Sequence, residues 1–200
     1  MDDLDFGAVE ATAAVDVTPA PVVYGLIALT LVAWAALILI SARVAMARGG
    51  ATTSSSILSR LAPSLKLVVS LTLVAGVFVQ LMAAGSVWSQ TKVANASAYE
   101  YFQYLSTARL FGISHAHLFG FAVIYGFNAL LLSLSGAAER TKCLLVATIC
   151  WSGMFDVLSW WGIREVSENF EIVSIVSGSG AGIGWLVSST IVVRDLWRRS

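Results

Sequence analysis

Charge is what this sequence has least of. Asp, Glu, Lys and Arg make up 12% of its 200 residues, against roughly 25% in soluble globular chains. Histidine and cysteine are down to two residues each. The cysteines, Cys143 and Cys150, lie seven apart on one expected helix, so they cannot close a disulfide with each other and are read as small packing residues. No paired-cysteine metal motif, Ser-His-Asp order or phosphate loop is present. "GSGAGIG" at 178 to 184 follows no strand, so close helix packing or a kink is the reading there. Hydrolase and transferase chemistry therefore has no visible apparatus, and the chain is not expected to be an enzyme on its own. The formal net charge is zero, which offers no basic face to nucleic acid.

What the sequence has instead is apolar length. Hydrophobic residues reach 58% and mean hydropathy is +0.81, a membrane composition. Crossing a hydrocarbon core takes about 20 apolar residues, and five windows are long enough. They run from Val22 to Ile40, between Lys66 and Lys92, between Arg109 and Glu139, between Lys142 and Arg164, and between Glu171 and Arg194. Nothing alternates like a barrel strand, and a backbone in lipid must satisfy its own hydrogen bonds, so all five are expected to be helices. The expectation is an all-α polytopic membrane helix bundle. An acidic extracytoplasmic tail covers 1–21 and the bundle 22–200, with spans near 22–46, 65–88, 110–135, 142–162 and 172–194.

Lys and Arg set the expected orientation, because they favour the cytoplasmic side of short loops. Arg43, Arg48, Arg60, Lys66, Arg140, Lys142, Arg194, Arg198 and Arg199 fall on one face; Lys92, Arg109 and Arg164 fall on the other. The first face is taken as cytoplasmic, with the N-terminus out, the C-terminus in, and a bacterial inner membrane as the location. The tail "MDDLDFGAVEATAAVD" has no basic n-region and is read as solvated rather than as a signal peptide. The stretch "RGGATTSSSILSRLAPS" is a linker. By contrast, "SQTKVANASAYEYFQYLSTAR" is rich enough in aromatics to lie along the interface or cap the bundle. The basic "RDLWRRS" is the expected cytoplasmic anchor, with anionic lipid as its partner.

Both histidines lie in "RLFGISHAHLFG", residues 109 to 120. Counted from Arg109, His115 is six residues into the span, roughly 9 Å at 1.5 Å per residue. The next helix returns antiparallel after "SGAAER", which brings Asp156, the one embedded acid, to the height of His117. Gln80 reaches a comparable depth, and "SWWG" places Trp160 and Trp161 just above Asp156. At 100° per residue the two imidazoles diverge by about 200°, so a regular helix cannot bring both to one metal. His117 shares its direction with Asn128 and Ser135 and is expected to face the bundle core. His115 is left for a cofactor, a partner subunit or the outer segment. The candidate cofactor-binding set is His115, His117, Asp156, Arg109 and Trp160; the candidate ligands of a divalent or copper ion are His115, His117, Asp156 and Gln80.

"HAHLFGFAVIYG" resembles the histidine-bearing helix of the heme-copper oxidase and nitric oxide reductase catalytic subunits. In those proteins a His-x-His pair followed by Leu places two hemes on opposite faces of one helix. The resemblance implies His115 in the position of the active-site heme ligand and His117 in that of the low-spin heme ligand. Those enzymes need further histidines, and this chain has none. Oxygen or nitric oxide reduction by this polypeptide alone is therefore excluded. The longer pattern, "SHAHLFGF" and "FDVLSWWG" before a Gly/Ser-rich last helix, is similar to a group of small bacterial multi-pass membrane proteins.

Three function classes follow. The leading expectation is an accessory integral-membrane subunit of an electron-transfer assembly, with heme b or a metal held near the outer face. A second is a metal-binding, quinone-handling or proton-handling site. The third is a structural or assembly subunit, in which the His/Asp layer is only a packing hydrogen-bond network. The lipid bilayer, partner subunits on the extracytoplasmic or lateral face, and a second copy of the chain are the expected partners.

Overall fold

The computed structural model describes residues 19–48 and 57–198. Most of the acidic tail, most of the Gly/Ser/Thr linker, Arg199 and the side chain of Arg48 lie outside the described residues. Those that are described form helices and short connections, with no strand. The helices are α1 (Ala20–Arg48), α2 (Pro63–Trp88), α3 (Ala98–Tyr104), α4 (Thr107–Ser133), α5 (Glu139–Glu165) and α6 (Glu171–Leu196). All but α3 are long and apolar enough to cross a membrane. Each begins and ends within a few residues of its expected span.

Local chemistry sets several of these boundaries. Pro63 opens α2, where its missing N–H costs nothing. Ser97 accepts a hydrogen bond from the Glu100 N–H and Ser106 one from the Arg109 N–H, so two serine caps start α3 and α4. Between α2 and α3 the chain makes a π-helical turn, Ser89–Ala94.

Hydropathy and burial run in opposite directions along the bundle. The most apolar window of α1 averages 2.5 with 17% of it buried, whereas that of α5 averages 1.5 with 44% buried. In lipid the helices that pack against protein need be least apolar. α5 is thus the central helix, and it pairs most extensively with α6. The Gly/Ser-rich run of α6 makes that contact close: a Cβ on Gly184 would lie 3.0 Å from Ile149 of α5, and one on Gly180 would lie 2.8 Å from the Ser152 hydroxyl.

A repeated clasp ties the other helices on. Trp34 of α1 donates its indole N–H to Ser152, and Trp151 of α5 donates to Ser41 of α1. Trp161 of α5 donates to Ser114 of α4, and Trp197, just past α6, to Ser70 of α2. Each is a tryptophan on one helix and a serine on another, which satisfies a polar group that lipid cannot.

The two ends of the bundle are closed differently. At one end α3 lies across α5: Ala98, Phe102 and Leu105 join Val157, Trp160, Ile163 and Phe170 in one buried cluster. This is the capping role expected of the tyrosine-bearing segment. At the other end the α4–α5 turn is held by α6, where the Gly136 N–H donates to Asp195 Oδ2 at 2.6 Å. The side chain of Asp195 is only 3% exposed. Gly136 itself is exposed, so Asp195→Ala is expected to destabilise the protein by about 0.5–1.5 kcal/mol, the net contribution of one such hydrogen bond. Asp195→Asn, which keeps an oxygen there, should recover most of that loss in thermal unfolding.

Candidate functional site

α4 and α5 are antiparallel, and their polar residues meet at one level. His117 lies ten residues into α4 and Asp156 nine from the end of α5, each about 14–15 Å from the α3 end at 1.5 Å per residue. α4 begins at Thr107 rather than near Arg109, so the layer is deeper than the sequence count suggested. Asp156 accepts a hydrogen bond from Ser174 Oγ of α6 at 2.6 Å. His117 and Trp160 are its further polar neighbours, and Tyr125 stands within electrostatic reach. Gly178 of α6 packs against the carboxylate, where a Cβ would meet Oδ1 at 3.5 Å, an ordinary contact.

His117 is held from two directions. Its ring meets Trp160 edge to face, with centroids 4.8 Å apart, and Trp160 in turn stacks on Phe102 of α3 at 5.9 Å. Nδ1 lies 2.9 Å from the carbonyl oxygen of Ile113, one turn back. A carbonyl only accepts, so Nδ1 carries the proton and Nε2 of the neutral ring keeps a lone pair. This bond also corrects one expectation. His117 does not face the core outright; drawn back along its own helix, it occupies the rim of the α4–α5 seam and is exposed there.

The other candidates separate into those the layer includes and those it leaves out. Gln80 joins at one remove, donating from Nε2 to the Tyr125 hydroxyl at 3.1 Å, and Tyr125 stacks on Phe121. His115 points away. It shares the exposed face of α4 with Phe111 and Phe119 and has no polar partner among the described residues. Arg109, two turns nearer the end of α4, is also exposed and outside the layer. Among the described residues no three His, Cys, Asp or Glu side chains converge as metal ligands do, so the proposed set of His115, His117, Asp156 and Gln80 is not assembled within one copy. A heme on His117 would have only Nε2 to bind, at the open rim of the seam.

A second polar group lies about three turns beyond His117 along α4, and only Asn128 of it stands out in the sequence. Asn128 donates to Ser189 Oγ at 3.0 Å and to the Trp185 carbonyl at 3.3 Å. Its Oδ1 and the Trp185 indole N–H are buried without a partner. Beyond them the path is closed by Leu131, Leu132, Ile149, Val192 and Leu196, which form one buried apolar cluster. The polar layer is therefore bounded by apolar clusters at both ends of the bundle and is exposed sideways, at His117 on the rim of the α4–α5 seam.

A family model for a transmembrane helical domain matches residues 93–200, just over half of the chain. The matched part holds α3 to α6, with His117, Asp156, Ser174 and the Asn128 group, and leaves out α1 and α2. No curated protein and no solved structure matches the chain.

Proposed function

Starting from a chain that belongs to the Aq_1264_TM family of transmembrane helical domains, and so is a multi-pass protein of a lipid bilayer, we propose that it is a proton-handling accessory subunit of an electron-transfer assembly. The observation that carries this is one imidazole and one carboxylate at a common level inside the span, with the ring of Trp160, one turn along α5 from Asp156, set against His117. Ionisable groups at that depth are costly and mark proton relays or ligand sites. His117 supplies the acceptor: in its neutral form, with Nδ1 donating to Ile113, Nε2 is the free lone pair. Asp156 supplies the donor when protonated, and the Ser174 hydroxyl fixes its orientation. The acceptor served would be a redox carrier, such as a quinone head group, presented at the α4–α5 seam by a partner. The resemblance of the His-x-His helix to the oxidases supports the electron-transfer class.

The occupied Nδ1 of His117 favours a second reading, in which Nε2 is the axial ligand of a heme b. A single histidine is chemically sufficient for such a heme. A second ligand and the remaining walls would come from another chain.

Infrared difference spectra of the protein in lipid nanodiscs, between acid and alkaline pH, test the first reading. The expected result is a protonated-carboxyl band that Asp156→Asn removes and His117→Gln displaces. A band indifferent to His117→Gln would mean that the two groups do not exchange protons. The visible spectrum of the same sample tests the second reading: a Soret band lost in His117→Ala and kept in His115→Ala.

A further inference from the structure

α6 ends at Leu196, and Trp197 just after it reaches α2. The Trp197 indole N–H donates to Ser70 Oγ of α2 at 3.0 Å. Lys66, one turn before Ser70, sets its Nζ 6.0 Å from the centre of the Trp197 ring and anchors it to the Ser59 carbonyl at 2.7 Å. Arg194, Trp197 and Arg198 line an open notch of about 510 Å³. Arg194 of α6 and Arg198 just past it thus share the notch with Trp197, and the Lys66 ammonium of α2 lies over the ring of that tryptophan. The acid beside them is Asp195. It lies 3.7 Å from the Arg194 Nε, but its side chain is buried and its other oxygen is taken by Gly136.

We propose that this notch binds the phosphate headgroup of an anionic phospholipid, which bridges α2 to α6. Placement favours a lipid over any soluble anion. The notch lies where both spans end, at the level of the headgroups, and Trp197 is the type of residue that anchors there. Basic pockets between transmembrane helices are the usual form of such sites. On the α2 flank, Leu67 and Leu71 are exposed and offer acyl chains an apolar wall beside the notch. The headgroup also has a structural task. α2 is the least buried span, with 11% of its window covered, and the phosphate would offset the repulsion between Lys66 on α2 and the arginines at the end of α6.

The test is thermal unfolding of the full chain in uncharged detergent, titrated separately with phosphatidylglycerol, phosphatidylcholine and inorganic phosphate. Phosphatidylglycerol is expected to raise the midpoint saturably, as a ligand of the folded state does, and the other two to leave it unchanged. The apparent affinity for phosphatidylglycerol should fall about fivefold for each cation removed, in Lys66→Gln, Arg194→Gln and Arg198→Gln. The Arg43→Gln/Arg140→Gln pair should leave it unchanged. Arg198 is exposed, so Arg198→Gln keeps the test usable if the other variants fold poorly. An equal shift with phosphatidylcholine, or full affinity in all three variants, would overturn the site. A shift produced by inorganic phosphate alone would reassign it to a free anion.

Discussion

Asp156→Asn is expected to leave the protein folded and to slow protonation of His117 by about 10²–10⁴-fold, the usual contribution of a positioned acid or base. The fold should hold because the amide has the shape of the carboxylate. Its oxygen still accepts from Ser174, and the contacts of Trp160 with Phe102 and His117 do not involve the lost charge. Interhelical hydrogen bonds in membranes average about 0.6 kcal/mol, so even a weakened Ser174 contact costs little. An amide cannot release a proton, and apolar clusters close both ends of the bundle on either side of the His117–Asp156 level. The measurement is the infrared signal of the imidazole after a rapid pH drop. An unchanged rate would route the proton along the exposed edge of His117 and remove Asp156 from the path.

The legible and illegible parts of this protein divide along a physical line. Span number and limits followed from charge-free length, since lipid leaves a backbone few alternatives. The common level of His117 and Asp156 followed from counting along two antiparallel helices joined by a short turn. Rotation about the helix axis was harder to infer. The angular argument put His117, Asn128 and Ser135 on one stripe, and Asn128 and Ser135 are indeed fully buried. His117 sits at the stripe's edge, where its bond to Ile113 decides the ring direction, and no periodicity encodes that bond. The buried Asp195 was hidden inside "RDLWRRS", whose basic neighbours suggest a solvated anchor. It was recoverable in principle, because Ser177 and Ser188 lie within about 20° of it on an ideal helix. Lys142 similarly marked the start of a span and proves 3% exposed, with its ammonium on Glu139 and the Ser133 carbonyl.

Trp185→Ala should produce the largest loss of stability, about 3–5 kcal/mol. Trp185 is 2% exposed, and its six-membered ring fills the space over Gly76 of α2, where a Cβ would lie 2.5 Å and 2.6 Å from two ring carbons. That fit needs both partners, the largest side chain on α6 and no side chain on α2. Gly76→Leu alone should therefore also destabilise, by about 1–3 kcal/mol, through overpacking. Combined, the two changes should compensate. With the indole gone, the isobutyl group that Gly76→Leu introduces would refill the cavity, and the double variant should be more stable than Trp185→Ala by itself. Both contacts hold α2, which is otherwise tied on by the Gln80–Tyr125 and Trp197–Ser70 hydrogen bonds. Hydrogen exchange should accordingly rise first in α2 for Trp185→Ala and return toward the parent in the double variant. Strict additivity of the two losses would show that Gly76 and Trp185 do not share a contact, and the docking of α2 described above would be wrong.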